Sequence, residues 1–245
     1  MRRFGKVTKN RWLFAAFAFA LVTLSSCQKD DDNGVFQVSA VRALNAVPGS
    51  DQLDLGLNDS WLNYDLQTEQ IEDFAYRDTL PYKRAWPGIR VVRVFEGGNI
   101  TNSGLLAQEN VQFYPGQFYS IYVVGREDDV ELMVTEDDLS APGEGKAKIR
   151  FINLSPDAPA LDFGIEGAGD AVMVTDQQFK EVSDFVAIDS GEAYTFNFKE
   201  HSNGKLVHTF EFTPKEGLIY TIWVRGLFEN EGNAELKLGH DIIVH

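Results

Sequence analysis

The sequence predicts an all-β protein made of two tandem antiparallel β-sandwiches. Three observations carry that expectation. Apolar and polar residues alternate with period two over residues 194–198 and again over Leu206–Phe212, as side chains do on a half-buried strand. The two runs are joined through Ser202-Asn203-Gly204-Lys205, and Asn-Gly tolerates the positive φ of a tight hairpin. No segment beyond residue 36 sustains a 3.6-residue apolar period. Short strands punctuated by turn residues fit a sandwich of the Ig-like or transthyretin-like kind.

The tandem organisation comes from an internal repeat. Residues 41–57, VRALNAVPGSDQLDLGL, align without a gap on residues 149–165, IRFINLSPDAPALDFGI. Arg42 meets Arg150, Asn45 meets Asn153, Pro48 meets Pro156, Asp54 meets Asp162 and Gly56 meets Gly164. The match continues. Trp86-Pro87-Gly88 precedes one strand, as Asp189-Ser190-Gly191 precedes its counterpart. GQFYSIY at 116–122 matches GLIYTIW at 217–223, and both run on to a glycine, Gly125 and Gly226. A last strand is expected at 130–135 and at 234–239, with Asp137 answering Asp241. The Pro/Gly/Ser stretch at 140–145 is the joint. One sandwich is therefore assigned to residues 37–140 and the other to 146–245.

Each copy opens with strand, turn and strand, read as a hairpin. Alternation puts Ile149, Phe151, Leu161, Phe163 and Ile165 on one face, and Arg150 and Asp162 on the other. A turn centred on Pro156 would set Arg150 across from Asp162, and one centred on Pro48 would do the same for Arg42 and Asp54. Two cross-strand ion pairs are expected, each contributing about 0–1 kcal/mol and serving register more than stability.

The first 26 residues read as an address. Arg2, Arg3, Lys6, Lys9 and Arg11 precede an apolar run at 12–23, which is short for a membrane span. Leu24-Ser25-Ser26-Cys27 follows, and it resembles the lipobox of bacterial lipoproteins. That resemblance implies a signal peptide at 1–26, cleavage before Cys27 and lipidation (palmitate among the acyl groups) of its thiol. Cys27 is the single cysteine, so an internal disulfide is excluded. Residues 27–36 read as an acidic tether. Lys29 followed by Asp30-Asp31-Asp32 resembles the export signal of surface-exposed lipoproteins, which implies an outer-membrane, surface-exposed location with the membrane as a partner through the lipid. Without the five basic residues of the address, 17 basic side chains face 37 acidic ones, a charge of −20. A surface of that sign repels phosphate backbones, so nucleic acid is not expected as a partner.

The run Asn153-Leu154-Ser155-Pro156-Asp157-Ala158-Pro159-Ala160-Leu161-Asp162, with Val182-Ser183-Asp184-Phe185 and the Gly217…Tyr220-Thr221 strand, resembles the DUF4397 family, a domain of unknown function. The resemblance covers the second copy almost completely and the first more loosely, since Val47-Pro48-Gly49-Ser50 stands where the family has its S-P-D-A turn. It implies extracellular, often repeated β-domains of bacterial surface proteins. It brings no known reaction and no catalytic residues.

The residues themselves offer no catalytic constellation. G-x-S-x-G and H-E-x-x-H are absent. His201, His208, His240 and His245 are expected as surface polar residues, with His201 opposite Leu206 and His208 opposite Lys199. Glu127-Asp128-Asp129 and Glu136-Asp137-Asp138 read as solvated turns, with calcium ligation the rarer alternative. No metal or cofactor is expected. The copies differ in one respect. The first carries Trp61, Tyr64, Phe74, Tyr76, Tyr82 and Trp86 where the second has Phe179 and Phe185. Trp61, Tyr64, Tyr76, Tyr82 and Trp86 form a candidate ligand patch, able to stack on sugar rings or to anchor a protein; the alternative is ordinary packing. The reading is a non-catalytic cell-surface module that binds or displays. A hydrolase acting on carbohydrate and a structural spacer are the alternatives.

Overall fold

In the computed structural model residues 37–167, 171–230 and 232–245 are described. The signal-like segment, Cys27 and the acidic tether lie outside them.

The first half contains β1 (Ser39–Asn45), β2 (Leu53–Leu57), the short β3 (Ser60–Trp61), β4 (Tyr64–Asp65) and β5 (Gln70–Ile71), then β6 (Thr79–Ala85), β7 (Gly88–Glu96), β8 (Leu105–Phe113), β9 (Phe118–Arg126) and β10 (Asp129–Glu136). The second half contains β11 (Lys146–Asn153), β12 (Leu161–Ile165), β13 (Ala171–Gln177), β14 (Val186–Asp189), β15 (Tyr194–Glu200), β16 (Leu206–Phe212), β17 (Ile219–Arg225) and β18 (Gly239–Val244). In the first half one sheet runs β10-β9-β1-β6 and the other β3-β2-β7-β8; in the second they run β14-β11-β17-β18 and β13-β12-β15-β16. The protein is all-β and built of packed sheets, as the alternation predicts. One strand pair per half is parallel, however: β1 with β9, and β11 with β17.

The opening unit of each half is an arch, not a hairpin. β1 and β2 belong to different sheets, as do β11 and β12. The chain crosses between the sheets, so its two strands face each other through the core instead of lying side by side. Ile149 and Phe151 from one sheet meet Leu161 and Phe163 from the other in a single apolar cluster. Phe163 lies between Phe151 and Phe196, nearly parallel to both, at centroid separations of 4.9 and 5.3 Å. The aligned asparagines tie off the arches. Asn45 and Asn153 are fully buried, and each Oδ1 accepts from the backbone N–H two residues on, Val47 or Ser155. Pairing these groups meets a cost that a buried polar turn would otherwise carry.

The last strand of the second half also differs from expectation. Ala234–Leu236 is a 3₁₀ turn, and the strand is Gly239–Val244. Register then decides the true correspondence between halves. Tyr119 pairs with Glu136, and Tyr220 pairs with Val244, so the residue answering Asp137 is His245 rather than Asp241.

Residues Val38–His245 form one compact unit. Alternation along the central strands explains why. Tyr119, Ile121 and Val123 on β9 point into the first sandwich. Tyr122 and Val124 point the other way, into a third cluster with Leu44, Ile152, Leu154, Trp223 and Ile243. The two central sheets thus pack back to back and bury both of their faces. Exposed or half-exposed ion pairs rim this layer, among them Arg77–Asp241, Arg126–Asp157 and Lys180–Glu131.

Candidate functional site

The cross-strand pairs expected within each arch do not form, because their strands are not neighbours. The two arginines instead point into the layer between the halves, where their charges meet the opposite half. Arg150 Nη2 donates to Asp137 Oδ1 at 2.6 Å, and the side chains of both residues are buried. Arg150 also donates to Tyr122 Oη and, through Nε, to Thr221 Oγ1. Arg42 donates to the Val244 carbonyl. The acids of the arches hold loops: Asp54 accepts from Gly98 N–H and Asn63 Nδ2, and Asp162 accepts from Asp176 N–H and pairs with His201.

This layer has approximate two-fold correspondence. Arg42 pairs in register with Ser120, as Arg150 does with Thr221. Arg42 lies over the ring of Tyr82 and Arg150 over that of Phe185, at 5.3 and 4.6 Å. The correspondence breaks in charge where Asp137 on one side meets His245 on the other. Proton donors can be assigned along the chain of contacts. Arg150 donates to Thr221 Oγ1, whose own proton goes to His245 Nε2 at 2.7 Å. Tyr82 donates to Asp137 Oδ2 at 2.6 Å, so its oxygen must accept from His245 Nδ1 at 2.9 Å. Burial favours the neutral imidazole, and these contacts suit its tautomer protonated on Nδ1.

Burial pushes the His245 imidazole down to about 4; Asp137 opposes that shift, and Arg150 and Arg42 reinforce it. His240 falls to about 4 through burial and the neighbouring His208; His208 Nε2 and His240 Nδ1 are 2.9 Å apart. An unfolded histidine titrates near pH ~6.5 and takes up a proton that these folded ones refuse, so the stability they supply is whole above that pH and lost as pH falls toward about 4. For His245, whose side chain is fully buried, the expected decline across that window is at most about 1.4 kcal/mol per pH unit. Urea midpoints at a series of pH values should show the decline, and His245→Asn should flatten it.

The histidine expectations need correction too. His208 pairs with Phe198, and Lys199 with Leu206, because the β15–β16 ladder shifts register there. His201 is bound to Asp162 at 2.8 Å, which raises its pKa. The acidic run at 136–138 is no solvated turn: Asp137 faces inward and Asp138 pairs with Lys148. Among the described residues no group of three His, Cys, Asp or Glu side chains is placed to hold a metal ion.

Of the five patch aromatics, the structure brings together Trp61 and Trp86. Tyr76 packs against the apolar layer between the halves, Tyr82 belongs to the polar network, and Tyr64 lines a separate hollow. Trp61 and Trp86 share a cleft of about 370 Å³ at the side of the first sandwich, where the edge strands β3 and β6 leave the two sheets open. Trp61 sits opposite Gly56 on β2. A Cβ at Gly56 would meet the indole at 3.4 Å, so glycine lets the ring lie close over the strand, edge-on to Phe95. Trp86 occupies the corner where the chain passes from β6 to β7, and it is 64% exposed. Asn58, Asp59, Arg84 and Arg90 complete the wall.

Two larger hollows are less suited to binding. One, of about 560 Å³, is lined by Asp51, Glu96 and Glu127 without any aromatic or basic side chain. The other, of about 480 Å³, lies over Arg150, whose donors are already engaged.

No curated protein matches the chain. Among solved structures, the C-terminal domain of AlgF from P. aeruginosa is 17% identical, with 41% of this chain and 99% of that one covered, at a TM-score of 0.26. A family CBM26 module from Eubacterium rectale, in complex with maltoheptaose, is 8% identical over 85% of this chain and 96% of that one, at 0.25. A streptococcal virulence factor described for α-glucan binding is 13% identical over 77% and 92%, at 0.24. The family model that matches is the domain of unknown function DUF4397, over residues 39–164. That span takes in the whole first half, expected to be the looser match, and the opening arch of the second, including the motif at residues 153–162. With just over half of its length matched, the chain belongs to the DUF4397 family.

Proposed function

We propose that this protein is a non-catalytic binding module, held at the outer-membrane surface by a lipid on Cys27, that takes a saccharide between Trp61 and Trp86. One observation carries the reading: two tryptophans, one of them largely exposed, share a single cleft with amide and guanidinium donors. An indole face stacks on the C–H face of a sugar ring, and the surrounding polar groups fix its orientation. Exposing so large an apolar side chain gains the fold nothing. The corner around it is held by main-chain carbonyls, with Arg90 donating to Trp86 O and Pro87 O. The equivalence of sheet order and register between the halves supports a tandem pair of units, the first of which carries the cleft.

Trp86→Ala is expected to leave the unfolding midpoint within about 0.5 kcal/mol of the parent while weakening glycan binding by tenfold or more, about 1.4 kcal/mol. Glycan-array screening followed by calorimetry reads both. An undiminished glycan signal in Trp86→Ala would sink the assignment of the cleft. The anchor is tested separately: Cys27→Ala should lose incorporation of an alkyne-palmitate label and leave the membrane fraction.

A further inference from the structure

We infer that the cleft selects acidic saccharides, those bearing a carboxylate or sulfate beside the stacked ring. This rests on the saccharide reading above and adds the charge of the ligand to it.

The whole chain carries a formal charge of −15, a field that turns anions away. The wall of the cleft reverses that sign. Lys83, Arg84 and Arg90 line it against a single carboxylate, Asp59. Arg84 is exposed and has no hydrogen-bond or ionic partner among the described residues. Arg90 is oriented by two carbonyls, Trp86 O at 2.8 Å from Nε and Pro87 O at 2.6 Å from Nη2. Carbonyls fix the direction of a guanidinium without cancelling its charge. Lys83 donates to Tyr64 O at 3.0 Å and its charge also acts on Asp65, so the free charge of the wall rests on the two arginines.

Many of the basic residues elsewhere are neutralised: Arg77, Arg126, Lys146, Lys148, Arg150, Lys180, Lys205 and Arg225 meet carboxylates, while Arg42 and Arg93 donate to carbonyl and amide oxygens. Two guanidiniums, Arg84 and Arg90, thus stand beside an exposed indole without a carboxylate bound to either among the described residues, in a strongly acidic molecule. A neutral sugar needs only the stacking face and the amide of Asn58. Two guanidiniums can orient the hydroxyls of any sugar, and they add a charged planar fork matched to carboxylate or sulfate oxygens, which a neutral sugar lacks. A peptide rich in acid would meet the charges but would leave the paired indoles without a ring to stack on.

The test uses the full chain on an array of uronate-bearing, sialylated and sulfated oligosaccharides beside their neutral counterparts, with acidic peptides included. Acidic sugars should bind about tenfold or more tighter than neutral ones, with a preference that shrinks as salt screens it. Arg84→Gln, at an exposed position without a hydrogen-bond or ionic partner among the described residues, should cost acidic sugars several-fold more affinity than neutral ones and so remove most of that preference. Trp86→Ala should remove binding to both. Equal affinity for acidic and neutral sugars, lost in Trp86→Ala, overturns the charge selection and keeps the saccharide reading. Binding of acidic peptides alone, or of no probe at all, overturns both.

Discussion

Replacing Asp137 with alanine should destabilise the folded chain by about 3–5 kcal/mol, because it strands a buried guanidinium without its counter-charge. The Arg150 and Asp137 side chains are 2% and 0% exposed, so no solvent enters to compensate. The carboxylate also receives the Tyr82 and Ser120 hydroxyl protons, and both lose their acceptor in the variant. Urea unfolding measures the loss. Pairing Asp137→Leu with Arg150→Met should restore most of it, since an apolar pair of similar bulk removes the desolvation cost of both charges. Asp162→Ala is the contrast. Its partner His201 is largely exposed, and the expected cost stays below about 1 kcal/mol. Equal losses in Asp137→Ala and Asp162→Ala would show that the layer is not organised around the Arg150–Asp137 pair.

Trp223→Ala should cost about 3–5 kcal/mol as well, by emptying the largest side chain from a packed layer. Trp223 is 1% exposed and lies with Leu44, Tyr122 and Ile152 between the two central sheets, not inside either sandwich. The expected effect therefore goes beyond the midpoint. The parent should unfold in one transition, as a unit buried on both faces of its central sheets should. In Trp223→Ala the halves should begin to part, giving separate transitions when tryptophan fluorescence and far-UV dichroism are followed together. A single transition with a loss under about 1 kcal/mol would mean that this layer contributes little to holding the halves together.

Much of the fold was legible because alternation reports directly which side chains share a face. The strands at Tyr194–Glu200, Leu206–Phe212 and Ile219–Arg225 are visible in that way. What alternation cannot report is the neighbour. An arch and a hairpin give the same pattern, because Ile149, Phe151, Leu161 and Phe163 face one core in either case. The loop between β11 and β12, residues 154–160, is longer than the commonest two-residue hairpin connection, and that length was the available signal. The strands Thr79–Ala85 and Leu105–Phe113 hide for another reason. TLPYKRA and LLAQENVQF lie at sheet edges, where solvent permits charges and amides on either face. At the site, the sequence singled out Trp61 and Trp86 by comparison of the copies. It could not separate them from Tyr76 and Tyr82, whose exposure depends on a contact between halves far apart in the chain. The pairing of Arg150 with Asp137 was hidden for the same reason: it joins the two halves of the chain, and aligning one half on the other does not show what passes between them.

The mismatch of Asp137 with His245 has a consequence for assembly. Two second halves placed back to back would set each Arg150 against the other copy's His245, burying two guanidiniums with no carboxylate to answer them. The first half brings Asp137 and so supplies the missing anion. Covalent linkage places it there at high effective concentration. The buried ion pair thus makes the contact between the halves asymmetric, with the cation from one and the anion from the other.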